Sequence, residues 1–116
     1  LILCISTLEH IGQDEDITQP SKPIEALKHM QKLLKPNGLI AATIPFGYNY
    51  FLDHAVTSGL IPLSSLIFYR RVGWNNHWKE SSFSEARSTK YGWPYNNANA
   101  ISLLKINKQT QIYEPK

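Results

Sequence analysis

A carboxylate and an imidazole adjoin at Glu9-His10, just downstream of the apolar run Leu1-Ile2-Leu3-Cys4-Ile5. At the mouth of a crevice such a pair can orient a substrate hydroxyl or accept its proton, because imidazole titrates near neutrality. The same two residues have a purely structural use, with Glu9 capping or bonding the following turn and His10 packing beneath the loop. A second group, Tyr48, Asn49 and Asp53, offers an aromatic wall and two polar anchors of the kind that line small-molecule pockets; ordinary loop packing is the alternative. A third group, Arg70, Arg71, Trp74, His77 and Trp78, mixes cations with aromatic faces and suits an anionic or sugar substrate, or stacked single-stranded nucleic acid. Arginine stems lying over Trp faces on an edge strand give the same pattern. His29 falls on a polar helix face, and His54 has no identifiable partner.

The elements that must position these groups follow from periodicity and punctuation. Residues 1–5 are apolar without alternation, as in a parallel strand covered on both faces, and we read residue 1 as a point within a longer chain. Residues 6–19 form a polar, acidic loop around Asp14-Glu15-Asp16, a solvated triplet. Ser21 can cap a helix that tolerates Pro23 in its first turn and gathers Ile24, Leu27, Met30, Leu33 and Leu34 on one face. Lys35-Pro36-Asn37-Gly38 turns the chain into a second buried strand, 39–44, closed by Pro45. This strand-helix-strand unit predicts two parallel neighbours whose C-terminal ends open onto one crevice. Residues 50–57 can form a short helix ended by Gly59, and 66–72 a strand with a basic end. The capping-box spacing of Ser82 and Glu85 opens a helix to about residue 90, and 100–106 is a last strand. With no helical crossover between them, these last two strands are expected as an antiparallel pair at the sheet edge.

The 116 residues, 42% hydrophobic and 11% aromatic, suffice for one small domain with a core and argue against disorder. A net charge of +3 without a like-charge block permits a nucleic-acid partner and does not indicate one. The single cysteine, Cys4, cannot form an internal disulfide and reads as a small buried hydrophobe in a reducing compartment, the cytoplasm. No targeting segment is visible, and no apolar run approaches the length of a membrane span.

Two segments carry a family resemblance. Cys4-Ile5-Ser6-Thr7-Leu8-Glu9-His10-Ile11 resembles the stretch after the fourth strand of class I S-adenosylmethionine-dependent methyltransferases, and Leu33-Leu34-Lys35-Pro36-Asn37-Gly38-Leu39-Ile40 resembles their helix-to-fifth-strand joint. Both occur in the family's order, within roughly the first forty-five residues. The resemblance implies a partial Rossmann-like α/β sheet in which residues 66–106 supply a hairpin whose last strand inserts antiparallel beside the fifth. It implies a single domain of which residues 1–116 are the C-terminal, substrate-side half, inactive alone and exposing an open strand edge. The Gly-x-Gly loop and the ribose-gripping acidic residue do not occur in this sequence and belong upstream in that picture. Ser6, Thr7 and Leu8 would flank the methionine portion of S-adenosylmethionine, with Glu9 and His10 as candidate catalysts and Tyr48, Asn49, Asp53, Arg70 and Trp78 as substrate contacts.

In related quinone-pathway enzymes an acidic residue three positions before the Glu accompanies a divalent metal; Ser6 stands there, so no metal is expected. The absence of an Asn-Pro-Pro-Tyr-like tetrapeptide turns the resemblance away from DNA amino-methyltransferases and toward a small-molecule, lipid or sugar acceptor. The rival reading is a non-enzymatic α/β module that holds nucleic acid or a protein partner through its basic aromatic hairpin. A nucleotide-binding oxidoreductase half has only general topology behind it.

Overall fold

The opening apolar run forms strand β1 (Ile2–Ile5) in the computed structural model, which describes residues 1–14, 18–59, 61, 65–73 and 75–109. A single 3-10 turn, Leu8–His10, follows the strand. Helix α1 (Lys22–Leu33) carries Pro23 in its first turn, where a missing N–H costs no helical bond. Ser21 occupies the N-cap position without making a capping bond. Ile24 and Leu27 are fully buried, but the apolar face ends sooner than its spacing predicts: Leu33 is exposed and Leu34 buried. The reason is local, because Leu34 is already extended (ψ 144°) and its side chain leaves the helical screw.

A turn closed by Gly38 N–H donating to the Lys35 carbonyl at 2.8 Å leads into strand β2 (Leu39–Pro45). Helix α2 (Tyr50–Thr57) is capped by Asn49, whose Oδ1 accepts from Leu52 N at 3.1 Å. Beyond it, Gly59 takes a positive φ of 84°. Strand β3 (Ser65–Arg71) turns back into strand β4 (Trp78–Ser81), a hairpin arm that the sequence pattern did not reveal. Helix α3 (Phe83–Ala86) starts at the expected Ser82 cap but lasts one turn, well short of residue 90. Strand β5 (Ala100–Asn107) completes the set.

The five strands form one open sheet in the order β1-β2-β5-β3-β4. β1 and β2 are parallel, with Ile2 opposite Ile40 and Ile5 opposite Thr43. β5 lies antiparallel to both β2 and β3, so β3 points the same way as β1 and β2. The expected β3–β5 antiparallel pair is present but not at the edge: β5 is inserted beside β2, as the resemblance leads one to expect, and β4 holds the outer edge. The C-terminal ends of β1, β2 and β3 therefore share one rim of the sheet with the first residue of β5.

The helices cover one face only. Cys4, Ile40, Ala42, Ile44, Leu104 and Ile106 from the sheet meet Ile24 and Leu27 of α1 and Leu52, Ala55 and Val56 of α2 in the main core. Phe46, Ala86 and Ala100, with Phe68, form a smaller core under α3. On the other face Leu3 and Ile5 are each 63% exposed, and Ile67, Ile101 and Leu103 are half-buried. The strict alternation of β5, with every second residue buried, records this one-sided packing. The expectation that residues 1–5 are covered on both faces thus meets a correction within this chain: Cys4 is buried, and its neighbours in the strand are not. Among the described residues no helix is long and apolar enough to cross a membrane.

Candidate functional site

The 3-10 turn at the tip of β1 buries Glu9 and leaves His10 exposed, with their side chains in contact. Glu9 is a buried carboxylate, 1% exposed, and its Oε1 has no hydrogen-bond partner among the described residues. Burial pushes its pKa above the ordinary carboxylate range, against a smaller opposing pull from its own backbone N–H and from His10. His10 is exposed rather than packed beneath the loop, a correction to the structural alternative. Its Nε2 lies 3.4 Å from Glu9 Oε2, and its Nδ1 lies 2.6 Å from Asp14 Oδ2 and 3.1 Å from the Tyr48 hydroxyl.

Tyr48 arrives from the end of β2. Its hydroxyl donates to both carboxylate oxygens of Asp14, at 2.6 and 2.8 Å, and its ring meets His10 edge-on with centroids 4.7 Å apart. These bonds hold the Asp14 carboxyl below its usual range and push the Tyr48 phenol up to about 12. The acidic loop is therefore not merely solvated at Asp14; Glu15 and Asp16 lie outside the described residues. Asn49 is buried, and while its Oδ1 caps α2, its Nδ2 donates to the Glu9 carbonyl at 3.1 Å. One side chain thus locks the β1 tip to the start of α2.

Asp53 accepts from Gly47 N at 2.9 Å and is pushed up to about 6 by desolvation, with that hydrogen bond pulling the other way. Gly47 needs its positive φ of 85°, and a Cβ there would stand 2.9 Å from Tyr91 N. The Tyr91 ring in turn packs on Tyr48, centroids 5.1 Å apart. Glu9, His10, Asp14, Tyr48, Asn49 and Asp53 accordingly form one neighbourhood at the shared rim.

Chemically, the arrangement can serve proton transfer. Nδ1 of His10 is fixed on an ionised Asp14, leaving Nε2 to face a carboxylate whose burial favours its protonated form. One proton can be held by Glu9 or by His10, and a hydroxyl placed against the exposed imidazole can exchange with it. Ser6 and Thr7 are exposed beside this turn, Ser6 with φ 48° and its N–H bonded to the Thr43 carbonyl at 3.0 Å. Leu8 is wholly buried and belongs to the main core. Among the described residues no three His, Cys, Asp or Glu side chains are grouped to hold a metal ion, and His10 spans its two carboxylates instead of standing beside them.

The remaining expected substrate residues lie elsewhere. Arg70 and Arg71 end β3, where the Arg70 guanidinium stands 3.6 Å from Glu85 and that of Arg71 lies 4.7 Å above the Tyr95 ring. The aromatic face under Arg71 is thus Tyr95, not a tryptophan. Trp78 donates from its indole to Asn76 Oδ1 at 2.9 Å on β4 and joins neither group. Trp74 lies outside the described residues; His77 and His29 are exposed, and His54 borders a small cavity of about 160 Å³ with Asp53.

Sequence reasoning missed two organising residues. Asp14 is tied to Tyr48 across 34 positions, which no local pattern records. Asn99, 3% exposed, accepts from Tyr95 N and donates to the carbonyls of Lys90, Tyr95 and Asn97, folding residues 90–99 into a wall; its place just after the turn-rich residues 91–97 was the available signal. Comparisons with protein-family models, with curated proteins and with solved structures match none of them to this chain.

Proposed function

We propose that this chain is the substrate-side half of an S-adenosylmethionine-dependent methyltransferase acting on a small-molecule, lipid or sugar acceptor. The observation that carries the reading is the sheet order, in which an antiparallel last strand stands between two strands of common direction, with the Glu9-His10 bend at the tip of β1. This is the order that the resemblance of the first forty-five residues implies, and periodicity alone gave a different one. A Gly-rich loop and a ribose-holding carboxylate are needed as well, and in this reading they come from residues outside the present sequence.

Bound S-adenosylmethionine supplies an electrophilic methyl group; the residues of this chain position the acceptor and manage its proton. Methyl transfer needs chiefly an in-line approach and a dry pocket. Tyr48 and Asn49 set the His10 side of the crevice, and Asp53 holds the Gly47 turn beneath Tyr91. His10, steadied by Asp14, is placed to receive a proton from an acceptor hydroxyl and share it with Glu9.

Calorimetric titration of S-adenosylmethionine tests the reading. The 116-residue chain alone is expected to give no tight binding, and the same chain extended by the in-frame coding sequence upstream of Leu1 is expected to bind. Failure of the extended protein to bind, or tight binding by the chain alone, would overturn it.

A further inference from the structure

We propose that the cavity at the C-terminal end of β3 is a binding site for a sugar phosphate, whose C–H face can lie against an aromatic ring. The proposal rests on the geometry of this cavity and not on the methyl-transfer reading. The cavity measures about 410 Å³ and is lined by Arg70, Arg71, Lys90, Trp93, Tyr95 and Asn99, among others. That volume falls within the range of small-molecule sites, roughly 300–1,000 Å³.

Three features converge on this ligand class. Two arginines border it from different sides, because successive strand residues point to opposite faces: Arg70, on the α3 side, stands 3.6 Å from Glu85, while Arg71 lies over Tyr95 and donates to the Asn96 carbonyl at 3.3 Å, leaving Arg71 and Lys90 as the cations for a ligand. Among the described residues no acidic side chain lines the cavity, so with Arg70 facing Glu85 outside it, Arg71 and Lys90 meet no carboxylate there. Among the described residues the Nε atoms of both arginines are buried without an acceptor, and buried guanidinium donors are ordinarily satisfied; an oxyanion beside Arg71 supplies such an acceptor with bidentate geometry.

The opposite wall is flat and apolar. Trp93, 69% exposed, offers a ring face on which a sugar can lie, and Tyr95 beside it backs the Arg71 guanidinium. The wall is built, not incidental: Asn99 makes its four bonds to hold residues 90–97 in place, and a Lys90–Trp93 bridge tightens the turn. A half-open cavity of this size, on a chain of net charge +3, suits one small anion better than the extended basic track that a single-stranded nucleic acid requires. The site also communicates with the Glu9-His10 rim, since Tyr91 of the same loop packs on Tyr48.

The experiment is a two-dimensional NMR titration of the labelled 116-residue chain with glucose 6-phosphate, glucose, inorganic phosphate and an oligothymidylate. Glucose 6-phosphate is expected to shift the Trp93 indole N–H saturably, inorganic phosphate to bind more weakly, and glucose not to bind. Lys90→Gln, an exposed change that leaves the fold alone, and Arg71→Gln are each expected to weaken the sugar phosphate about tenfold. Absence of any shift by about 10 mM sugar phosphate, equal binding of glucose, or unchanged affinity in both variants overturns the proposal. Tighter binding of the oligothymidylate, with shifts spreading beyond the cavity, overturns it in favour of a nucleic-acid surface. Sugar-phosphate binding together with no S-adenosylmethionine binding by the extended protein leaves this site standing and removes the methyl-transfer reading.

Discussion

Replacing Asp53 with Asn removes a charge that the fold holds at a cost. The Asp53 carboxyl is pushed from an ordinary 3.8 up to about 6, chiefly because burial strips it of water. A folded pKa above the unfolded one means that the native state binds the proton more tightly. The stability this group confers is therefore complete below about pH 4 and is lost as pH rises through about 6. The rise is about two pH units at roughly 1.4 kcal/mol each, an upper figure near 3 kcal/mol; water at the partly exposed rim lowers it to about 1–3 kcal/mol.

Asp53→Asn keeps an oxygen to accept from Gly47 N, now at 2.9 Å, while removing the buried charge. Urea unfolding followed by far-ultraviolet circular dichroism, run from pH 4 to pH 8, reads the effect. The variant is expected to match the parent near pH 4 and to exceed it by about 1–3 kcal/mol at pH 8. The buried Glu9 contributes a fall of the same sign in both proteins, and because its charge is also a lesser cause of the Asp53 rise, the difference reads Asp53 together with its coupling to Glu9. A constant difference across the pH range, or a variant less stable at pH 8, refutes the assignment of that charge to a desolvated site.

Three further outcomes follow from the same contacts. Asn99→Ala leaves the Tyr95 amide and three carbonyls without their partner, and is expected to cost about 2–4 kcal/mol in urea unfolding. Gly47→Ala forces a side chain into φ 85° and to within 2.9 Å of Tyr91 N, so it is expected to lose at least about 1–2 kcal/mol and to disperse the Tyr48 and Tyr91 resonances seen by NMR. The pair Leu3→Lys and Ile5→Lys places charge on the exposed face of the β1 edge strand. Sedimentation velocity is expected to show less self-association than the parent, with stability changed by no more than about 0.5 kcal/mol per site.

The parts of the fold legible in the sequence are those fixed by local chemistry. The apolar runs of β1 and β2, Pro23 at a helix start and the Lys35–Gly38 turn each carry their structure within a few residues. The Tyr50–Thr57 helix is bounded by the Asn49 cap and Gly59 in the same way. What the sequence hid depends on distant partners. β4 reads as polar residues because an edge strand buries little, and its register is set by pairing with β3 and not by its own pattern. Helix α3 stops after one turn because only Ala86 is buried, so no further apolar face repays continuation to residue 90. In the site, Glu9 and His10 announced themselves by residue type. The partners Asp14 and Tyr48 depend on two chain segments meeting across the rim, and Arg71 finding Tyr95 depends on how Asn99 folds the intervening loop.

The central claim is the place of β1 within a larger cofactor-binding sheet. A structure of the chain extended by its in-frame upstream coding sequence, bound to S-adenosylhomocysteine, tests it most directly. The account predicts a new strand paired along the free edge of β1, with the ligand sulfur beside residues 6–8 and His10 facing the open side of the crevice. A ligand bound away from that turn, or a β1 edge still unpaired, contradicts it.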